Sequence, residues 1–236
     1  MTSEHPRPRH PRPRVAAPGR LIDRLRAGPL GPHVDWIPLD GRDLDRPDID
    51  GHVRASPADA APSHVPVEEA DRLDDPAARE HFAERLFAHA RLREFFAGDW
   101  TPGDLVIFHT RHKLQILAHD PTVYRVMGRI VAQAGLQPRD ELEADYRRAF
   151  SAAFAVRPSR GRHTNALMHV LGPMSARLDR SRRQAISSAI NAYHRGEEPL
   201  GTPIELLREN AEAEGLTDLV QQTYLDPYPE EVSPRI

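Results

Sequence analysis

No cysteine occurs anywhere in the 236 residues. That removes disulfide frameworks, thiolate-held zinc, cysteine-held iron–sulfur clusters and thiol nucleophiles from the chemistry the chain can supply itself. Long apolar runs are missing as well: none approaches the roughly 20 residues that a bilayer crossing needs. The arginines of Met1–Arg20 are followed by no apolar stretch, so the start does not read as a secretory signal. A soluble, cytoplasmic protein is the expectation. There is no Gly-rich phosphate loop, no dinucleotide fingerprint, no G-x-S-x-G elbow and no H-E-x-x-H zinc motif. Lysine is nearly absent too, Lys113 being the only one.

What is present is unevenly spread. The formal net charge of −3 hides an acidic stretch at 35–75, with twelve acids against four arginines. Residues 109–183 carry fourteen bases against six acids, and 197–236 return to ten acids against two arginines. A basic middle between acidic flanks suits an anionic partner, or acidic segments folded back onto it.

Residues 1–20, with HPRPRHPRPRV at their heart, alternate proline with arginine and histidine and are expected to be disordered. Leu21–Arg26 suits one short helical turn. Residues 21–65 as a whole are rich in Pro, Gly and Asp and read as an extended, irregular arm. From Asp75 the punctuation becomes regular. Asp75-Pro76, Thr101-Pro102 and Asp120-Pro121 each combine an N-cap with proline at the first helical position, where its missing N–H is harmless. Further helices are expected from Pro138 to about Phe154, from about Arg162 to Leu178 with a kink at Gly172-Pro173, and from Arg180 to His194. Thr202-Pro203-Ile204-Glu205 has capping-box spacing, and Leu216–Leu225 reads as a last short helix. No strand pattern competes after residue 75. The expected fold is all-α, with about seven or eight helices over residues 66–232.

Two clusters carry candidate chemistry. In Phe108-His109-Thr110-Arg111-His112-Lys113, helical spacing puts His109, His112 and Lys113 on one face, flanked by Leu105 and Ile116. Histidines so placed can act as bases or serve as structural hydrogen-bonders. Arg160-Gly161-Arg162-His163-Thr164-Asn165 opens a helix, where free backbone N–H groups favour an anion. A metal site at His109 and His112, completed by His119, His163 or His169, finds no carboxylate one turn away, and no metal or other cofactor is expected.

These stretches, in this order, resemble the YbgA family, a helical domain of unknown function. The matching segments are PVEEADRLDDPAAREHFAERLF (Pro66–Phe87), LVIFHTRHKLQILAHDPTVYRVMGRIVAQAG (Leu105–Gly135), RHTNALMHVLG (Arg162–Gly172), YHRGEEPLGTPIELLRE (Tyr193–Glu209) and QQTYLDPYPEEV (Gln221–Val232). In many members this domain follows a cysteine-containing desulfidase domain that removes sulfur from 4-thiouridine in tRNA. The first 65 residues here are too short for that domain and hold none of its cysteines. RENAEAEG (Arg208–Gly215) departs from the family's more histidine-rich stretch, and Gly172-Pro173 is unusual for it.

The resemblance implies a tRNA-binding accessory domain, itself non-catalytic, with a separate desulfidase as a candidate partner. RNA contact then falls to Arg111, Lys113, Arg125, Arg129, Arg160, Arg162, His163 and Asn165. His109, His112, His169 and Tyr124 become shapers of the pocket. Two other readings stand beside it. One is a His-based enzyme with its pocket around the FHTRHK and RHTN motifs, and the other a protein-interaction scaffold that docks through residues 1–65.

Overall fold

The computed structural model describes residues 10–39, 46–62, 64–232 and 235. Local chemistry sets the helix starts as the sequence implies. The Asp75 carboxylate accepts from the Ala77 amide and opens α2 (Pro76–Ala97). Thr101 and Asp104 form a reciprocal capping box at the head of α3 (Pro102–His119). Asp120 accepts from the Thr122 and Val123 amides at 2.7 and 3.0 Å and starts α4 (Pro121–Ala132). Then come α5 (Arg139–Ala155), α6 (Arg160–Met174), α7 (Arg180–Arg195), α8 (Gly201–Ala213) and the short α9 (Thr217–Val220).

Two local expectations give way. The capping box at Thr202 does not form: α8 begins at Gly201, whose amide donates to the Arg235 carbonyl, and Thr202 bonds Glu198 instead. The helix expected to run to Leu178 also stops short: α6 ends at Met174, one residue past Pro173.

The larger correction concerns the N-terminal region. The fold is mostly helical but not all-α, because four short strands build a parallel sheet: β1 (Arg14–Ala17), β2 (Asp35–Pro38), β3 (Gly51–Arg54) and β4 (Val67–Glu69). Their order is β2-β1-β3-β4. Residues 10–20, expected to be disordered, contain β1, and residues 1–9 lie outside the described residues. The stretch read as an irregular arm holds β2, β3 and the short helix α1 (Ile22–Ala27). β4 joins the same sheet from beyond residue 65, so the arm and the helical region share one sheet.

The sheet is held from both faces. Val15 and Ala17 join Val53, α1 and the α2 residues Phe82, Leu86 and Phe87, while Ala16 turns the other way to Leu39 and Ile49. This is the two-residue alternation of a strand buried on both sides. Asp50, only 1% exposed, ties sheet to helix: it takes a fork of hydrogen bonds from Arg93 at 2.8 and 3.1 Å and another from the Arg14 amide. α2 therefore buries one flank against the sheet and continues into a second core with α3, α4 and α5. α3 bridges onward, giving Leu105, Phe108 and Ile116 to that core and Leu114, Leu117 and Ala118 to a third one formed with α6, α7 and α8.

Candidate functional site: a polar cleft along α2

The buried residues of α2 are apolar but for Glu84, which sits in its middle and is 5% exposed. Burying a carboxylate there is tolerable only with partners. Gln115 of α3 donates to it at 3.0 Å, and Thr223 in turn donates to Gln115 at 2.8 Å. His119, at the end of α3, brings Nε2 to 3.3 Å from the second carboxylate oxygen. The His119 Nδ1 donates to the Val156 carbonyl at 2.7 Å, so both ring nitrogens face acceptors. The His119 carbonyl accepts from Arg162 at 2.6 Å. Burial alone raises a carboxyl pKa, but His119, with Arg235 and His163 beyond it, holds Glu84 well below the usual carboxylate range.

Glu84 opens into a cavity of about 190 Å³ whose lining includes Glu80, His81, Arg157, Arg160, His163 and Tyr193. Burial pushes His81 down to about 4 and His163 down to about 3, so both are neutral at pH 7. His163 Nδ1 lies 3.1 Å from the Tyr224 hydroxyl. Burial also pushes Tyr193 up to about 12. Arg160 lies over the Tyr193 ring and donates to its carbonyl at 2.8 Å. Gly196 ends α7 in the left-handed region at φ 84°, and a Cβ there would stand 3.8 Å from the Arg160 Cζ. A second cavity of about 410 Å³ meets the first at His81 and Arg157 and is also lined by Arg54, Glu68, Glu69, Arg72 and Arg85. Together they form a cleft from the sheet to the α6–α7 pair.

The residues singled out in the sequence fall into three places. Arg111, Arg125 and Arg129 are exposed and Lys113 half-buried on the adjoining helices α3 and α4; Asn165 is exposed on α6. Arg160 and His163 line the cleft, and Arg162 is tethered just behind it. His163 is 9% exposed and bonded to Tyr224, in the wall of the cleft. His109 and His112 shape a core and not this cavity. His109 Nδ1 is 3.3 Å from the Tyr146 hydroxyl, and Tyr124 stacks on its ring. His112 stacks on Phe108 at 4.0 Å and donates to the Phe108 carbonyl at 2.8 Å. His169 is exposed on α6 and lies outside the lining of either cavity of this cleft. Among the described residues, no three of His, Asp and Glu gather as a metal ion would require.

Sequence reasoning missed Glu84, His81, Arg157 and Tyr193 and gave His119 a place only in a metal site. The one available signal was the acid of Glu84-Arg85 set between Phe82-Ala83 and Leu86-Phe87.

A parallel sheet backed by a helical bundle, with an ionic cleft between them, defines a helical α/β-capped domain. Residues 113–229 match the family described as "Protein of unknown function (DUF1722)". The chain is also 35% identical over 121 residues to "Uncharacterized protein YbgA" of Escherichia coli (strain K12), covering 51% of this chain and 72% of that protein. The chain belongs to the YbgA family. No solved structure matches it, and among the described residues no helix is long and apolar enough to cross a membrane.

Proposed function

We propose that this protein is an RNA-binding accessory module, non-catalytic by itself, that presents tRNA for thiouridine desulfuration carried out by another chain. The observation that supports it best is a set of unneutralised cations. Arg111, Lys113, Arg125 and Arg129 project from the adjoining helices α3 and α4, and none has a carboxylate at ion-pair distance among the described residues. Around the sheet, by contrast, Arg12, Arg14, Arg24, Arg54 and Arg93 are each paired with an acid. Free guanidinium and ammonium groups on neighbouring helices suit phosphate oxygens. The tRNA and desulfuration parts rest on the family resemblance. With no cysteine in this chain, any thiolate chemistry belongs to a partner.

The competing readings draw less from the geometry. His109 and His112 are locked into a core while His169 faces solvent. In the expected docking arm, β1, β2 and β3 are built into the sheet, and residues 1–9 lie outside the described residues.

Electrophoretic shift with tRNA across a salt series tests the proposal. Four phosphate contacts predict affinity falling about 100-fold between roughly 50 and 200 mM salt. The double variant Arg111→Glu/Arg129→Glu should flatten that slope by about two contacts. Affinity indifferent to salt, or absent at low salt, overturns the reading.

A further inference from the structure

The larger cavity lies at the carboxyl ends of two parallel strands. Arg54 is the last residue of β3 and Glu69 the last of β4, and both line it. Open parallel sheets present their ligand crevices at this edge. The volume of about 410 Å³ falls in the range of small-molecule pockets.

The charges around it do not cancel. Glu69 is paired with Arg54 at 3.1 Å and Glu68 with Arg72 at 3.5 Å. Among the described residues, Arg85, from α2, and Arg157, from the α5–α6 link, have no carboxylate at ion-pair distance. Arg85 is half-buried, and burial lowers its pKa against the longer-range pull of Glu68. A partly desolvated guanidinium with no counter-charge is unfavourable unless a ligand supplies one. Two uncompensated arginines match a phosphate monoester, which carries about −1.5 to −2 at neutral pH and accepts forked guanidinium hydrogen bonds.

The inner chamber has the complementary character. His81 lines both cavities, and its Nε2 is buried without a hydrogen-bond partner. Glu84 is fixed by Gln115 and His119, and Glu80 lies 3.6 Å from Arg235. Beside Arg157 and Arg160, the two carboxylates and the neutral His81 ring give this chamber groups suited to hydroxyls.

We propose that the cleft binds a phosphorylated polyol, a sugar phosphate or nucleoside monophosphate, with its phosphate between Arg85 and Arg157 and its hydroxyls toward His81 and Glu84. The site goes beyond the RNA reading and shares no residue with the Arg111–Lys113–Arg125–Arg129 strip. Either can fail without the other.

Calorimetric titration of the full chain with inorganic phosphate, ribose 5-phosphate, adenosine monophosphate and ribose tests it. Saturable binding of at least one ester is expected, about tenfold or more tighter than inorganic phosphate and ribose. Arg157→Met, at an exposed position where folding is unaffected, should weaken ester binding by about tenfold to a hundredfold. Arg111→Met should leave it unchanged. Absence of saturable ester binding overturns the proposal. So does unaltered affinity in Arg157→Met, or inorganic phosphate binding as tightly as the esters. A 5′-phosphorylated oligoribonucleotide binding through Arg157 while the free esters do not would move the site to RNA ends and overturn the small-molecule assignment.

Discussion

His112 offers a sharp test of how burial governs this fold. Its ring is 2% exposed, stacked on Phe108, and spends its Nδ1 proton on the Phe108 carbonyl, while Nε2 has no partner. Burial, with Arg91 nearby, lowers its pKa from the ordinary 6.5 to about 3. A folded-state pKa below the unfolded value means that the unfolded chain binds the proton first. Stability is therefore intact above about pH 6.5 and is lost as pH falls toward 3. The loss attributable to this residue between pH 7 and 5 is about 2 kcal/mol. For a domain of this size that corresponds to about 4–8 °C in melting temperature. Asn is the informative replacement, because its amide N–H occupies nearly the place of Nδ1 and keeps the bond to the carbonyl. His112→Asn should melt lower than the parent at pH 7, having lost the stacked ring. Its melting temperature should then fall less than the parent's between pH 7 and 5, by about the same 4–8 °C. Calorimetric scans of both proteins across that range give the difference directly. Parallel pH profiles would refute the reasoning, since they would mean that His112 takes up no extra proton on unfolding.

Two further outcomes follow from the packing. Glu84→Ala leaves Gln115 and His119 buried without their acceptor, and urea unfolding at pH 7 should show a loss of about 3–5 kcal/mol. A loss under about 1 kcal/mol would show that Glu84 is not charged in the fold. At Gly51 a Cβ would stand 2.7 Å from Leu86 Cδ1 and 3.4 Å from Phe82 Cζ. Gly51→Ala should destabilise by about 1–3 kcal/mol, with faster amide exchange in β1 and β3 as its signature.

The helices were legible because their starts are written in adjacent residues. An Asp or Thr followed by proline determines the first turn at α2, α3 and α4 whatever lies across the core. The strands were not legible because Arg14–Ala17, Asp35–Pro38, Gly51–Arg54 and Val67–Glu69 are only three or four residues long. Val15, Ala16 and Ala17 are all buried, so no polar face marks the alternation. The cleft was half legible. Arg160 and His163 announced themselves at a helix start, whereas Glu84 acquires meaning only through Gln115, 31 residues on, and Gln115 through Thr223, 108 residues further. Pairings at such separations leave no local pattern.

The tail's return to the front of the chain also bears on how this protein is made. Gln222 and Thr223 hydrogen-bond to carbonyls of α3 across 112 residues, and Arg79 reaches the Val232 carbonyl across 153. Tyr228 and Val232 complete the core between the sheet and α2. During synthesis, then, α2 and α3 stay incompletely covered around Phe82, Phe87 and Glu84 until residues 222–232 have left the ribosome. Contacts so distant in sequence slow folding and prolong the exposure of apolar surface. Nascent chains stalled before residue 222 should be held by chaperones.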